Sequence, residues 1–301
     1  MSMRSVVTVS APAKVNLALS VGPPGSDRMH QIASWMVTTD LCDELQLTRL
    51  PSGTPSRFAI LWHDDAPRKS AIDWSMSKDL AALAHLALER RVQHALPIQS
   101  RMLKRIPVGG GLGGGSSDAA AMLRGLVELF ELDISRAQLR EVAHALGSDV
   151  PFLLEGGSAL VEGLGERITA APMPDAHLVL VFPDALCPTR NVYEKFDLIC
   201  ANARIDAPRV RALLATQIAS HAPFNDLALA AMETAPTLLD DAEEIARIAQ
   251  REVHVSGSGS TLFVIADEAM HAEALATTIM RDLSLPARSV RVTASPATVH
   301  E

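Results

Sequence analysis

The chain has 301 residues, of which 48% are hydrophobic, and its formal net charge is −8. This charge argues against nucleic acid as a partner, because binding to a phosphate backbone needs a broad basic surface. No stretch of the sequence approaches the about 20 consecutive apolar residues that span a bilayer, so we expect no membrane partner. The N-terminus lacks a signal-peptide pattern, and Cys42, Cys187 and Cys200 are an odd number without metal-ligand spacing. We therefore expect a reducing, cytoplasmic environment.

The N-terminal part of the chain predicts strands followed by a helix. Alternating apolar and polar residues predict strands over 5–10, 14–21, 43–50 and 57–62. Leu80, Leu83 and Leu88 recur at helical spacing within residues 76–92. A further strand, predicted over 96–107, leads directly into a glycine-rich run.

The region after the glycines predicts two helices and then mixed structure. Met122, Leu126 and Phe130 share one face of the first helix, and the second is predicted over 135–147. Ser135 with Gln138 fits a capping box at its start. The strands and helices that follow lack strict β-α-β order, which favours an α+β fold over a doubly wound parallel sheet.

A domain boundary is predicted at the proline-rich stretch that contains Pro172 and Pro174. We therefore divide the chain into an N-terminal domain, residues 1–170, and a C-terminal domain, residues 171–301.

The glycine-rich run predicts an anion-binding loop. Six of the seven residues 109–115 are glycines, and they lie between a predicted strand and a predicted helix. Backbone amides of such a loop can converge on a phosphate, and the helix N-terminus adds partial positive charge. The run lacks the lysine of a P-loop and the N-terminal β-α-β unit that accompanies a dinucleotide-binding fingerprint. A flexible linker is the structural alternative, but Leu112 and the amphipathic helix that follows argue against it.

Three motifs resemble those of the GHMP kinases, the superfamily of galactokinase, homoserine kinase, mevalonate kinase and phosphomevalonate kinase. They are "SAPAKVNLAL" from Ser10, "PVGGGLGGGSSDAA" from Pro107 and "VHVSGSGSTLFVI" from Val253. Within the superfamily, "ALGSDVPFLL", "CPTRNVY" and "NDLA" narrow the resemblance to the 4-diphosphocytidyl-2-C-methylerythritol kinases. These enzymes phosphorylate a cytidine-diphosphate-linked sugar alcohol in non-mevalonate isoprenoid biosynthesis.

The resemblance implies a fold, a chemistry and a set of site residues. The fold would have two domains: a mixed α/β N-terminal domain like domain 2 of ribosomal protein S5, and a ferredoxin-like α+β C-terminal domain. Asp149 matches the catalytic aspartate, the general base for the substrate hydroxyl, and Lys14 matches its lysine partner. ATP and Mg²⁺ are the implied cofactors, with the metal near Ser116 or Ser117. The nucleotide-binding residues would be Pro107, Val108, Gly109, Gly110, Gly111, Leu112, Gly113, Gly114, Gly115, Ser116, Ser117 and Asp79.

The implied substrate-binding residues are Asn16, His30, Thr189, Tyr193, Gly257 and Gly259. His30 would contact the cytosine edge and Tyr193 would stack on the base. Arg28 and Met29 depart from the glycine and tyrosine that the family has there, which removes a second aromatic face.

Asp79 departs from the asparagine that the family usually has in the adenine pocket. As an ionised carboxylate it accepts but cannot donate, and a helix N-cap is an equally good interpretation. The alternatives to the leading function are another GHMP kinase, acting on homoserine or a mevalonate derivative, and a non-catalytic nucleotide-binding relative. The oligomeric state is left open.

Overall fold

The computed structural model of the chain describes residues 5–215, 218, 223–294 and the backbone of 298–300. These residues form twelve strands and nine α-helices. The strands are β1 (Val6–Pro24), β2 (His30–Arg49), β3 (Arg57–Trp62), β4 (Ile98–Lys104), β5 (Ser158–Gly163), β6 (Arg167–Ala170), β7 (His177–Val181), β8 (Phe224–Asn225), β9 (His254–Val255), β10 (Leu262–Ala266), β11 (Ala287–Thr293) and β12 (Thr298–His300). The helices are α1 (Leu80–Val92), α2 (Gly114–Phe130), α3 (Arg136–Leu146), α4 (Val150–Glu155), α5 (Thr189–Ile199), α6 (Ala207–Leu214), α7 (Ala228–Thr234), α8 (Thr237–Ala249) and α9 (Ala269–Leu283).

A long antiparallel hairpin of β1 and β2 forms the centre of the sheet. The two strands predicted over 5–10 and 14–21 are one continuous strand, because pairing with β2 extends along almost its whole length. The pairing register shifts between Pro12 and Lys14, and again between Asn16 and Ala18. Such irregularities re-aim side chains and are frequent beside active sites.

The sheet is mixed but mainly antiparallel. Among the strand pairs of the described residues, β1–β8 and β3–β4 are parallel and the others are antiparallel. This confirms the mixed α/β content expected from the sequence. The sheet continues from β2 through β11 into β7, so strands on both sides of residue 170 share it. The division at residues 170 and 171 stays a prediction.

Helix α2 packs across the N-terminal part of the sheet. Its buried face, which includes Ala119, Leu123 and Leu126, lies in one hydrophobic cluster with Leu45 and Leu47 of β2. Gly125 allows the close approach, since a Cβ there would lie 2.7 Å from Leu47 Cδ1. The helix is therefore fixed against the hairpin, and its N-terminus begins at the glycine-rich loop.

Strand β1 contributes to the C-terminal hydrophobic cluster as well. Leu19 and Val21, near its end, pack with Val181 of β7 and Leu262 of β10. The middle of β1, where Lys14 lies, is consequently held between the two parts of the core.

Candidate active site

A cavity of about 610 Å³ lies between the glycine-rich loop, β1, the start of α4 and the start of α5. Most of the predicted site residues line it. They are Lys14, Asn16, Asp79, Pro107, Val108, Gly109, Gly110, Gly111, Leu112, Gly113, Gly114, Gly115, Ser116, Asp149, Thr189, Tyr193 and Gly257. Three predicted residues, His30, Ser117 and Gly259, lie outside this lining.

The glycine-rich loop has the strand–loop–helix arrangement that the sequence predicts. It follows β4 and ends at Gly113, which caps α2 in a left-handed conformation with φ +68°. The first amides of a helix have no intrahelical acceptor and carry partial positive charge. Because Gly114, Gly115 and Ser116 line the cavity, this end of α2 can receive an anion.

The loop docks against the C-terminal glycine turn, residues 256–261. Thr261 N donates to Gly110 O at 3.1 Å, and Ser256 Oγ donates to Gly111 O at 3.3 Å. Gly259 lies behind the glycine-rich loop, because its amide is 3.1 Å from where a Gly111 Cβ would stand. Gly257 faces the site, and a Cβ there would be 3.1 Å from Lys14 Nζ.

The predicted lysine–aspartate couple is brought together at the cavity. Lys14 Nζ lies 3.7 Å from Asp149 Oδ2, and the two side chains are 6% and 25% exposed. The backbone N–H of Lys14 donates to Leu112 O at 2.9 Å, which ties β1 to the glycine-rich loop. Asp149 directly precedes α4, and its side chain makes no capping hydrogen bond. The residue lines the cavity.

Asn16 orients the lysine. Its Oδ1 accepts a hydrogen bond from Lys14 Nζ, and its Nδ2 donates to Ser34 Oγ at 2.8 Å. Ser34 Oγ donates in turn to Ala18 O at 2.7 Å. The sequence predicted only a substrate contact for Asn16. Its position two residues after Lys14, on the same strand face, was the signal for this additional role.

A buried ionic cluster, formed by Asp43, Lys104 and Asp118, was missed in the sequence. Lys104 Nζ hydrogen-bonds both carboxylates, and Asp43 Oδ1 accepts from Ile106 N at 2.8 Å. The cluster ties the entry of the glycine-rich loop to α2. Burial raises the pKa of Asp118 well above its ordinary value; Lys104 opposes this shift and the negative charge of Asp43 reinforces it. One feature of the sequence could have indicated this cluster: Asp43 is a charged residue on the same strand face as Leu45 and Leu47.

The predicted cytosine-binding residues are only partly assembled. Tyr193 and Thr189 line the cavity, and Thr189 Oγ1 lies 3.0 Å from Ser258 Oγ. His30 packs against Tyr193, with ring centroids 4.8 Å apart. Its Nδ1 lies 2.9 Å from Gly22 O and its Nε2 lies 3.5 Å from Asp197 Oδ1. Both ring nitrogens thus face protein groups, so a contact between His30 and a base stays a prediction.

The Tyr193 side chain is partly buried at the cavity wall. Burial, with a smaller contribution from the charge of Asp149, raises the pKa of Tyr193 to about 12. The phenol therefore stays neutral at physiological pH.

Asp79 has the capping role that the sequence left as an alternative. Its Oδ1 accepts from Ala82 N at 2.9 Å at the start of α1, and its Oδ2 accepts from Trp74 Nε1 at 3.1 Å. Trp74 and Lys78, which no sequence motif indicated, also line the cavity. Trp74 comes from an irregular segment whose position no periodic pattern predicts, and Lys78 ends a short 3₁₀ turn, Met76–Lys78, that directly precedes Asp79.

The two predicted metal-binding serines have different environments. Ser116 lines the cavity, whereas Ser117 is completely buried and its Oγ has no hydrogen-bond partner among the described residues. Within the same residues, no group of three or more His, Cys, Asp or Glu side chains could hold a metal by itself.

The part of the chain described by the structure contains no helix with the length and apolar character needed to cross a membrane.

Comparisons with known proteins connect this site to one enzyme family. Residues 79–157 match the family model "GHMP kinases N terminal domain". A 4-diphosphocytidyl-2-C-methyl-D-erythritol kinase from Geobacter sulfurreducens is 35% identical, over 95% of this chain and 98% of its own length. A kinase of the same name from Pseudarthrobacter chlorophenolicus is 35% identical, over 90% of this chain and 88% of its own.

Solved structures show the same fold. The crystal structure of a 4-(cytidine 5'-diphospho)-2C-methyl-D-erythritol kinase matches with a TM-score of 0.76 and 27% identity, covering 96% of this chain and all of that chain. A mevalonate kinase from L. major matches with a TM-score of 0.69 and 14% identity, covering 98% of each chain, and supports the fold alone. The chain therefore has the GHMP kinase fold, is a small-molecule kinase and belongs to the 4-diphosphocytidyl-2-C-methyl-D-erythritol kinase family.

Proposed function

We propose that this chain transfers the γ-phosphoryl group of ATP to a hydroxyl of 4-diphosphocytidyl-2-C-methyl-D-erythritol, in non-mevalonate isoprenoid biosynthesis. One observation carries the proposal: Lys14 Nζ lies 3.7 Å from Asp149 Oδ2 in the cavity that the glycine-rich loop borders. A non-catalytic relative would have no need to hold these two groups together beside a phosphate-binding loop.

The residues around the glycine-rich loop fit a nucleoside triphosphate. Glycines line the wall without side chains that would block a phosphate, and the N-terminus of α2 supplies unpaired amides. Lys14 and Lys78 add positive charge to the same cavity. Trp74, fixed by its hydrogen bond to Asp79, offers an apolar surface for the base.

Mg²⁺ would be held mainly by the phosphates. In kinase sites this ion typically uses one or two carboxylates together with phosphate oxygens and water. Ser116 lines the cavity and could complete such a set, whereas Ser117 would have to leave its buried position to do so. When bound, the ion neutralises charge on the transferred group.

The lysine–aspartate couple activates the alcohol. The Asp149 carboxylate accepts the hydroxyl proton as the alcohol oxygen forms a bond to the γ-phosphorus, while the bond to the β,γ-bridging oxygen breaks and ADP leaves. Lys14, desolvated and oriented by Asn16, stabilises the negative charge on Asp149 and on the phosphoryl oxygens.

The cytidine end of the substrate would lie against Tyr193. This ring lines the cavity together with Thr189 and Gly257, so it lies on the C-terminal side of Lys14. A base stacked on one aromatic ring gains about 1–3 kcal/mol of binding free energy. We expect this to be sufficient for recognition, although Met29 stands where the family has a second aromatic residue, a tyrosine.

The proposal is tested by measuring ADP formation with one acceptor alcohol at a time. We expect ATP turnover with 4-diphosphocytidyl-2-C-methyl-D-erythritol, and none with mevalonate or homoserine as matched controls. Turnover with a control alcohol instead would overturn the substrate assignment, and ATP binding without turnover on any of them would favour the non-catalytic alternative.

A further inference from the structure

Asp149 depends on neighbouring elements for its position. It precedes α4, a helix of only six residues, and isolated helices shorter than about 12 residues are marginally stable in water. Its partner Lys14 lies on β1. The 3.7 Å separation between the two side chains therefore depends on how α4 is fixed relative to β1.

Arg124, in the middle of α2, connects these two elements. Its Nη1 donates to Leu153 O at 2.8 Å and contacts Leu154 O at 3.4 Å, both in the last turn of α4. Its Nη2 donates to Ser10 O at 2.8 Å, four residues before Lys14 on β1. A single planar group thus joins the end of α4 to the strand that carries the lysine.

The environment of Arg124 is unusual for a cation. Its Nε is buried without a hydrogen-bond partner among the described residues, and the acceptors at its other nitrogens are backbone carbonyls. Burial lowers the pKa of Arg124 to about 10, although the side chain stays protonated at neutral pH. A buried charge without a carboxylate partner is costly, whereas an apolar side chain would fill the space between α2 and α4 without this cost.

We infer that Arg124 is a positioning residue for the phosphoryl transfer: its guanidinium sets the offset between α4 and β1, and through it the distance between Asp149 and Lys14. It contacts neither reactant. The planar group can reach acceptors on both elements at once, which the point charge of a lysine cannot do in the same geometry. This inference rests on the proposed function, since the affected step is proton removal from the acceptor alcohol.

The first test compares Arg124→Met with the wild-type enzyme in steady-state kinetics. A displacement of about 1 Å at a catalytic group costs about 100-fold in rate, so we expect kcat to fall about 10- to 100-fold. The KM for ATP should stay unchanged because the glycine-rich loop is not displaced. Arg124→Lys should fold and recover part of the lost kcat.

The matched control is Arg140→Met. Arg140 lies on α3 and pairs with Glu155 at the same end of α4, but this pair joins two side chains and is solvent-exposed. We expect wild-type kcat for this variant.

The second test separates positioning from a general loss of stability. Arg124→Met is measured in an Asp149→Asn background, where no base remains to be positioned. We expect no further fall in kcat there, since two residues that act through one group are not additive. An equal loss in both backgrounds, or wild-type kcat for Arg124→Met, would overturn the inference. If the wild type phosphorylates none of the alcohols, the proposed function has failed instead.

Discussion

Gly111 lies where the glycine-rich loop crosses the C-terminal glycine turn, and its replacement by alanine gives a quantitative prediction. Its φ is +73°, and an added Cβ would stand 2.2 Å from Ser256 O and 2.9 Å from Gly259 O. Both neighbours are backbone atoms, so neither can move without shifting the turn.

The expected magnitude has two parts. A left-handed conformation costs an alanine about 1–2 kcal/mol. Forcing an extra carbon into a packed region costs about 1–3 kcal/mol more. We therefore expect Gly111→Ala to lower the free energy of unfolding by roughly 2–5 kcal/mol, and to raise the KM for ATP because the loop must move.

Gly109→Ala is the matched control. Gly109 has nearly the same φ, +75°, but an added Cβ would meet nothing within 4 Å. Only the conformational cost of about 1–2 kcal/mol applies to it. Urea unfolding of both variants and the wild type measures the difference, and equal unfolding midpoints for the two variants would refute the packing argument.

Three further predictions concern the cavity wall and the buried cluster. Tyr193→Ala should raise the KM for the cytidine substrate about 5- to 150-fold without changing the KM for ATP. Tyr193→Phe keeps the ring, so its KM values should stay near those of the wild type. Equal increases in KM for both substrates would contradict the stacking role. Asp79→Ala should lower the free energy of unfolding by about 1 kcal/mol through loss of the N-cap and should weaken ATP binding by releasing Trp74. Asp79→Asn is the control for the cap alone, because its one acceptor oxygen can still accept from Ala82 N while its amide nitrogen cannot accept from Trp74 Nε1; an unchanged KM for ATP in Asp79→Ala would contradict a contact between Trp74 and the nucleotide. Because burial raises the pKa of Asp118 in the folded state, the contribution of Asp118 to the free energy of unfolding should fall as pH rises from the ordinary carboxyl value of 3.8 towards that raised pKa. Asp118→Asn should remove this decline, and parallel pH curves for the two proteins would contradict the account.

The sequence predicted those features of the fold and of the site that depend on local sequence pattern. The glycines of residues 109–115 lie between a strand and a helix as expected, and Ser135 with Gln138 forms the predicted capping box. The family resemblance paired Lys14 with Asp149, and the fold brings them together.

What the sequence did not reveal depends on contacts between distant segments. The cluster of Asp43, Lys104 and Asp118 joins two strands and a helix, and no local periodicity indicates which charges meet. Trp74 comes from an irregular segment, and its indole Nε1 donates to Asp79 Oδ2. For His30 the family resemblance implied a contact with the cytosine edge, which stays a prediction; its packing against Tyr193, 163 residues away in the chain, is a feature that no local pattern indicates.

The central claim is that Asp149, held beside Lys14, takes the proton of the acceptor alcohol. The most direct measurement is the single-turnover rate of phosphoryl transfer by Asp149→Asn, together with its dissociation constant for ATP. A general base contributes about 100- to 10,000-fold to the rate, so transfer should slow by this factor while ATP binds as tightly as to the wild type. Transfer at the wild-type rate, with the same affinity for ATP, would contradict the account.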